Sequence, residues 1–257
     1  MSHPSLPTLE EMLEAGAHFG HQTNKWHPAM KKFIFDVREG IHIINLEDTY
    51  QRLDAALEYI SQHAGGDKKG GIVFIGTKRQ AAPVVQEKAK AAGVHYVINR
   101  WPGGLITNYK EIKKAIAHYN ELGEYMNDRD EFEKNSTRDR FAISKERTKL
   151  GEIFEGISTL TDAPSLLVIV DPRREKTALN EARLKHIPTI GIVDTNTNPG
   201  LVDFPIPAND DALKSIELIM EAICSAIILA NDTESTNDDT VKKPKKAKKT
   251  ATKSKKD

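Results

Sequence analysis

The sequence predicts an α/β protein with a parallel sheet, and three observations support this fold class. Short, continuously apolar segments of the kind found in strands buried on both faces recur along the chain. They alternate with stretches of helical period, and repeated strand–helix units favour parallel strands joined by right-handed crossovers. The length of 257 residues allows one large domain with an appendage.

The N-terminal part of the chain predicts a short helix, a β-hairpin and a longer helix. Thr8 and Glu11 have the spacing of a capping box, which marks the start of a helix. Segments 33–37 and 41–45 alternate around a short turn sequence and predict the hairpin. Asn45 is then expected to cap the next helix, and Gly65 and Gly66 are expected to end it.

Five apolar runs predict the strands of the parallel sheet, with helices between most of them. The predicted strands are 72–75, 94–98, 166–170, 189–193 and 204–206. Asn209 is expected to cap a long apolar last helix at 210–230.

A long interval between the second and third of these strands predicts an inserted pair of helices. Stretches 108–126 and 144–161 each have an apolar stripe, and the polar connector 127–140 lies between them. Two amphipathic helices joined by a polar loop predict an antiparallel helical hairpin. Periodicity leaves open whether this hairpin projects as a docking arm or packs on the domain as a lid.

The predicted organisation has four parts. They are an N-terminal helix, β-hairpin and first half of the α/β domain at 1–107, the helical hairpin at 108–162, the second half of the α/β domain at 163–230, and a lysine-rich tail at 231–257. The tail lacks apolar residues at a useful period and is predicted to be disordered.

Charge is distributed unevenly, although 37 basic residues balance 37 acidic ones. Residues 242–257 hold nine lysines and one aspartate, and residues 231–241 hold four acids. Subtraction leaves 28 basic and 32 acidic residues for 1–230. A uniformly basic surface is thereby excluded, so contacts with a nucleic acid would come from local patches or from the tail.

Composition and the N-terminal sequence favour a reducing, cytosolic setting. The single cysteine, Cys224, excludes an internal disulfide framework and a cysteine-based zinc finger. No apolar run reaches the roughly 18 residues that a membrane span needs. The first residues have neither a secretory signal nor a transit pattern.

The segment 76–79, Gly-Thr-Lys-Arg, follows the first buried strand and precedes a helix. Free N–H groups at a helix N-terminus suit a phosphate, and Lys78 and Arg79 add positive charge. The P-loop and dinucleotide fingerprints are absent, which favours an RNA phosphate over a bound nucleotide. The alternative is an ordinary solvated helix start.

Asp171 and Asp194 each follow a buried strand, at the sheet edge where open parallel sheets bind ligands. They leave open an enzyme that accepts a phosphoryl group or uses a metal ion. The first strand ends without an acidic pair, so a magnesium cluster would lack ligands. A turn role for Asp171 before Pro172 is favoured.

The spacing of His18, His21 and His27 leaves a zinc site open as an alternative. No neighbouring cysteine supports zinc, whereas Lys25, Trp26 and His27 together suit phosphate contact and base stacking. Metal and cofactor are therefore not predicted.

Arg100 and Trp101 follow the second strand and precede a glycine pair that permits close backbone approach. Arg100 is expected to contact a phosphate. Trp101 could stack on a base, but packing at the root of the helical hairpin is favoured. Basic residues on the hairpin are interleaved with acids, so a solvated face is the alternative to RNA contact there.

Ordered motifs along residues 8–230 resemble those of the bacterial small-subunit ribosomal protein S-two family. The motifs are GAHFGH, WHPAMKKFIF, REGIHIINLEDT, FIGTKRQA, RWPGGLITN, PSLLVIVDP, IVDTN and PIPANDDA. They occur in the order of the family, and the set is far more specific than any one motif.

The resemblance implies a flavodoxin-like three-layer α/β/α fold with an inserted antiparallel helical hairpin. It implies a non-catalytic constituent of the small ribosomal subunit that binds ribosomal RNA, supports subunit assembly and helps recruit the messenger-binding ribosomal protein S-one. Expected partners are small-subunit ribosomal RNA and proteins, with no membrane and no stand-alone homo-oligomer. The expected location is the cytoplasmic ribosome, although a plastid-encoded copy is not distinguished.

The residues predicted to contact RNA are basic or aromatic. They lie in the N-terminal segment, after the first two strands of the parallel sheet and on the helical hairpin. They are Lys25, Trp26, His27, Lys31, Lys32, Lys78, Arg79, Arg100, Lys110, Lys113, Lys114, Arg138, Arg140 and Lys145.

Overall fold

A computed structural model describes residues 3–63 and 70–238 and has two sheets. The smaller, antiparallel sheet has the order β1-β3-β2, with β1 Phe19–Gln22, β2 Ile34–Arg38 and β3 Ile41–Ile44. The larger sheet is parallel and has the order β5-β4-β6-β7-β8. Its strands are β4 Ile72–Ile75, β5 His95–Val97, β6 Leu166–Val170, β7 Thr189–Val193 and β8 Phe204–Pro207. The predicted parallel sheet and its five strands are confirmed.

Helices cover both faces of the parallel sheet. They are α1 Leu9–Glu14, α2 Leu46–His63, α3 Ala81–Ala92, α4 Tyr109–Asn127, α5 Arg129–Phe132, α6 Thr137–Phe154, α7 Lys176–Leu184 and α8 Leu213–Asp238. Side chains of β4 alternate, with Phe74 buried against α2, α3 and α8, and Val73 and Ile75 buried with α7 and the inner ends of α4 and α6. This arrangement is consistent with the expected flavodoxin-like three-layer fold.

Local signals set several element boundaries as the sequence predicts. The capping box is present, because the Thr8 hydroxyl accepts from Glu11 N at 3.2 Å and the Glu11 carboxylate accepts from Thr8 N at 2.8 Å. Gly93 ends α3 at φ +66°, a left-handed conformation that glycine adopts without strain. The end predicted for α2 at Gly65 lies outside the described residues.

The inserted segment differs from its predicted boundaries. α6 begins at Thr137, not at 144, because the Ser136 hydroxyl caps it by accepting from Asp139 N. The predicted polar connector contains α5, whose first turn is capped by Asp128. α4 and α6 contact each other, with the His118 ring 3.0 Å from a Glu146 carboxylate oxygen. Projection of this pair as an arm stays a prediction.

The C-terminal helix α8 continues to Asp238, past the predicted end at residue 230. No glycine or proline interrupts the chain there, and adding residues to a formed helix costs little compared with starting one. Residues 239–257, which make up most of the predicted tail, lie outside the described residues. No helix in the described ranges is long and apolar enough to cross a membrane.

Strand β1 is absent from the sequence-based prediction. It pairs with β3 and packs against the loop after β7, where the Thr195 hydroxyl accepts from His21 N at 2.8 Å. Gly20 is required at this contact, because a Cβ there would lie 2.6 Å from Thr195 Cγ2. The small sheet thereby places His21 at the carboxyl edge of the parallel sheet.

Candidate nucleic-acid interface

The carboxyl edge of the parallel sheet is divided between acidic and basic side chains. The loops after β7 and β8 carry Asp194, Asp210 and Asp211. The loops after β4, β5 and β6 carry Arg79, Arg100, Arg173 and Arg174. A polyanion such as RNA is attracted to the basic half of this edge and not to the acidic half.

The acidic half forms a compact ion-pair network, which we call the acidic cluster: Asp194, Asp210 and Asp211 with His21 and Lys78. Lys78 Nζ lies 2.6 Å from an oxygen of Asp210 and 2.6 Å from an oxygen of Asp211. His21 Nδ1 lies 3.0 Å from Asp194, and His21 Nε2 lies 3.3 Å from Asp211. One lysine and one imidazole thus face three carboxylates.

Burial shifts the protonation of this cluster. Burial first, and then the charges of Asp194 and Asp171, raise the pKa of Asp210 to about 7 despite its contact with Lys78. The hydrogen bond to Asp194 raises the pKa of His21. The cluster therefore holds protons that exposed carboxyl groups would have released.

We expect the stability advantage of the wild-type chain over Asp210→Asn to fall as the pH rises. The native carboxyl keeps its proton to about pH 7, whereas the unfolded one releases it near pH 4, so rising pH favours unfolding of the wild type alone. The difference in free energy of unfolding should fall by about 2 kcal/mol between pH 5 and 7. Urea denaturation at each pH measures it, and a constant difference would show that Asp210 is already ionised at pH 5.

The histidines of the H-x2-H-x5-H spacing do not converge. The His18 ring packs on Phe19 at a centroid distance of 4.0 Å, and His27 Nδ1 accepts from Ala29 N at 3.2 Å. His21 alone joins the acidic cluster. In the described ranges 3–63 and 70–238, one group of metal-ligating side chains is close enough together to hold a cation. Its members are His21, Asp194, Asp210 and Asp211, and their ligand atoms lie within 4.8 Å of one another.

The side chain of Lys78 lies in the acidic cluster. Lys78 was expected to contact RNA, but its side chain is only 14% exposed and is held by two aspartates. A cation already balanced by two carboxylates gains little from a phosphate. We therefore leave Lys78 out of the proposed interface.

A second group of predicted residues is exposed and unpaired. In the described part of the chain, no carboxylate lies within 4.0 Å of their charged atoms, and none makes a side-chain hydrogen bond. They are Lys25, Lys31, Arg79, Arg100, Lys110, Arg138 and Lys145. Free surface cations of this kind are the groups that neutralise phosphates.

The remaining predicted residues have partners within the chain. Lys114 pairs with Glu111 at 2.9 Å, Lys113 donates to a backbone carbonyl, Lys32 lies over the Phe33 ring and Arg140 contacts the Thr137 hydroxyl. His27 caps the turn that follows it, as described above. Trp26 is 37% exposed and its ring tilts against His42.

The loop after β5 is held by one buried carboxylate. Glu181 of α7, 7% exposed, accepts from Trp101 Nε1, from the backbone N–H groups of Gly104, Ile106 and Thr107, and from the Thr107 hydroxyl, at 2.8 to 3.1 Å. Burial opposes its ionisation, but these hydrogen bonds outweigh burial and lower the pKa of Glu181. Trp101 is 6% exposed, so its ring packs in the core and is not free to stack on a base.

Sequence reasoning missed Glu181, Arg173 and Arg174. Glu181 gives no local signal, since a glutamate in an amphipathic helix is usually solvated. Arg173 and Arg174 did give a signal in the sequence, because a basic pair directly after a buried strand lies at the same sheet edge as Arg79 and Arg100.

Comparison with known proteins identifies the family. The family model described as ribosomal protein S2 matches residues 12–230. A relative from Bacteroides thetaiotaomicron, small ribosomal subunit protein uS2, is 45% identical over 224 residues, covering 87% of this chain and 80% of the relative. The protein of the same name from Dehalococcoides mccartyi is 41% identical over 229 residues, covering 88% and 92%.

A third relative, small ribosomal subunit protein uS2c from Emiliania huxleyi, is 43% identical over 230 residues, covering 87% of this chain and 96% of the relative. The matched residues include the small sheet, the parallel sheet, the inserted helices and most of α8. The resemblance seen in the sequence motifs is thus confirmed: the chain belongs to the ribosomal protein S2 family.

Proposed function

We propose that this chain, a structural constituent of the small ribosomal subunit, binds the ribosomal RNA of that subunit through a few exposed cations. Family membership supports the structural, non-catalytic role and a location in the cytoplasm with the ribosome. The observation that supports RNA binding is the set of exposed, unpaired cations described above, which includes Arg79 and Arg100.

The proposed mechanism is charge neutralisation at one part of an otherwise acidic surface. Each unpaired lysine or arginine that meets a phosphate releases condensed counterions, which supplies affinity without reading a base. The acidic cluster offers no unpaired cation, so the RNA would lie along the basic half of the sheet edge. Selectivity would then come from the folded shape of the RNA.

The enzyme alternative based on Asp171 and Asp194 has no support from the family, which is a structural one. Asp194 is buried and accepts from the backbone N–H and hydroxyl of Thr195 while it pairs with His21. These contacts give it a structural role.

The salt dependence of binding to in vitro transcribed small-subunit ribosomal RNA tests the proposal. Arg79→Gln should lower the slope of log affinity against log salt by about 0.7–0.9, the value of one lost phosphate contact. Lys114→Gln, whose lysine is paired with Glu111, serves as the control and should leave the slope unchanged. A wild-type chain whose affinity for this RNA is low and independent of salt would refute the proposed function.

We also propose, from the family resemblance, that the chain supports subunit assembly and helps recruit the messenger-binding ribosomal protein S-one. Depleting the chain from cells should reduce the yield of complete small subunits and the amount of S-one that sediments with them. Subunits with unchanged S-one content after depletion would contradict the recruitment role.

A further inference from the structure

A cavity of about 270 Å³ opens at the carboxyl ends of β4, β5 and β6. We call it the switch cavity, lined by Thr77, Asn99, Arg100, Trp101, Gly103, Arg174, Glu175 and Thr177. In the sheet, β5 lies on one side of β4 and the later strand β6 lies on the other side. The cavity is therefore at the point where the direction of strand addition reverses. In open α/β sheets this is the place where ligands bind.

Two arginines from different strands flank the cavity. Arg100 follows β5 and Arg174 follows β6, and β4 lies between those strands. Since neighbouring strands are about 4.8 Å apart, the two loops start about 10 Å from each other. Both arginines are exposed, and in the described ranges neither lies within 4.0 Å of a carboxylate oxygen or donates a hydrogen bond, although the positive charge of Arg174 acts to lower the pKa of the neighbouring Glu175. One anion between them can therefore accept from both guanidinium groups.

Thr77 and Glu175 occupy the side of the cavity between the arginines. Both the backbone N–H and the hydroxyl of Thr77 donate to the same oxygen of Glu175, the hydroxyl at 2.5 Å. Burial raises the pKa of Glu175 and so disfavours its charged form. The one acidic group that lines the cavity is thus hydrogen-bonded within the chain and presents less repulsion to an anion than an exposed carboxylate would.

We propose that the switch cavity binds one backbone phosphate of the ribosomal RNA, bridged by the guanidinium groups of Arg100 and Arg174. This inference rests on the proposed function. Planar guanidinium forks match phosphate oxygens better than ammonium groups do. The cavity has room for about nine water molecules at ~30 Å³ each, which admits a phosphate together with its sugar. A nucleotide that protrudes from the RNA surface fits such a concave site.

A double-mutant cycle on the full chain tests the bridge. Arg100→Gln, Arg174→Gln and the double variant are compared with the wild type in binding to in vitro transcribed small-subunit ribosomal RNA over a series of salt concentrations. Each single variant should bind about tenfold more weakly, as expected for loss of a charge-assisted contact. If both arginines hold one phosphate, the double variant should lose only about 0.7–0.9 of slope in total.

Arg183→Gln is the matched control, because Arg183 is exposed, lies in the last turn of α7 away from the carboxyl edge of the sheet, and is outside the cavity lining. It should leave affinity and slope unchanged, and thermal unfolding by circular dichroism should be the same for all variants. A slope loss of about 1.4–1.8 in the double variant would indicate two separate phosphates and overturn the bridge. An unchanged slope in the double variant, with tight salt-dependent binding by the wild type, would reject the cavity and leave the proposed function standing.

Discussion

Replacing Lys78 with methionine should lower the free energy of unfolding by about 2–3 kcal/mol at pH 9, because Asp210 must then either stay charged without its partner or keep its proton two pH units above its native pKa of about 7. Asp210, 1% exposed, would lose the ammonium group that lies 2.6 Å from it and would still face Asp194. Methionine keeps most of the length of the lysine side chain, so the loss of packing is small. Urea denaturation at pH 9, where Asp210 of the wild type has lost its proton, measures the change.

Arg79→Met is the matched control, because Arg79 is adjacent, exposed and unpaired in the described structure. It should change stability by less than about 0.5 kcal/mol. Adding Asp210→Asn to Lys78→Met should restore much of the lost stability, since the uncompensated charge is then removed. Equal stability of the two methionine variants would show that Lys78 is not a structural cation.

Glu181→Gln should destabilise the chain by about 3 kcal/mol, because an amide nitrogen would face N–H donors that now bond to a carboxylate. Five donors from the loop after β5 converge on the two oxygens of Glu181. Glutamine has the same shape, so the change isolates charge and hydrogen bonding. The urea midpoint measures the effect, and Glu217→Gln on the exposed face of α8 should shift stability by less than about 0.5 kcal/mol.

The effect of Glu181→Gln should depend on pH in a defined direction. The native pKa of Glu181 is lowered, so its stabilisation is full above its unfolded pKa of about 4.3 and is lost as the pH falls through the native value. The two chains should therefore differ by a constant amount above about pH 5 and converge in acid. A difference that grows in acid would contradict the hydrogen-bonding account.

The parallel sheet could be predicted because its strands carry their own signal. β4, β6 and β7 are buried on both faces and therefore read as unbroken apolar runs. Helix boundaries were less certain where a polar cap stood in a polar stretch, as at Ser136, since the same residue is equally common in loops. β1 escaped prediction because its burial depends on a contact with Thr195, which is remote in sequence.

Contacts between residues remote in sequence also limited the prediction of the candidate site. Lys78 and Arg79 are neighbours in a segment that predicts one anion site for both. One is bound by aspartates that follow β8, and the other is free. The difference arises because the loop after β8 brings its aspartates to Lys78 and not to Arg79. No property of residues 76–79 could reveal this. Chemical type was predictable for the exposed cations, but pairing was not.

The carboxylate of Glu181 holds the connection between β5 and the inserted helices rigid through its hydrogen bonds. It fixes the segment that leads directly into α4 and fastens that segment to α7, which packs on the parallel sheet. A pull on α4 would therefore reach the sheet through side-chain hydrogen bonds as well as through the backbone of β5. When the α/β domain rotates within the ribosome, these hydrogen bonds would make the inserted helices rotate with it as one rigid body. The loop after β5 would then not act as a hinge.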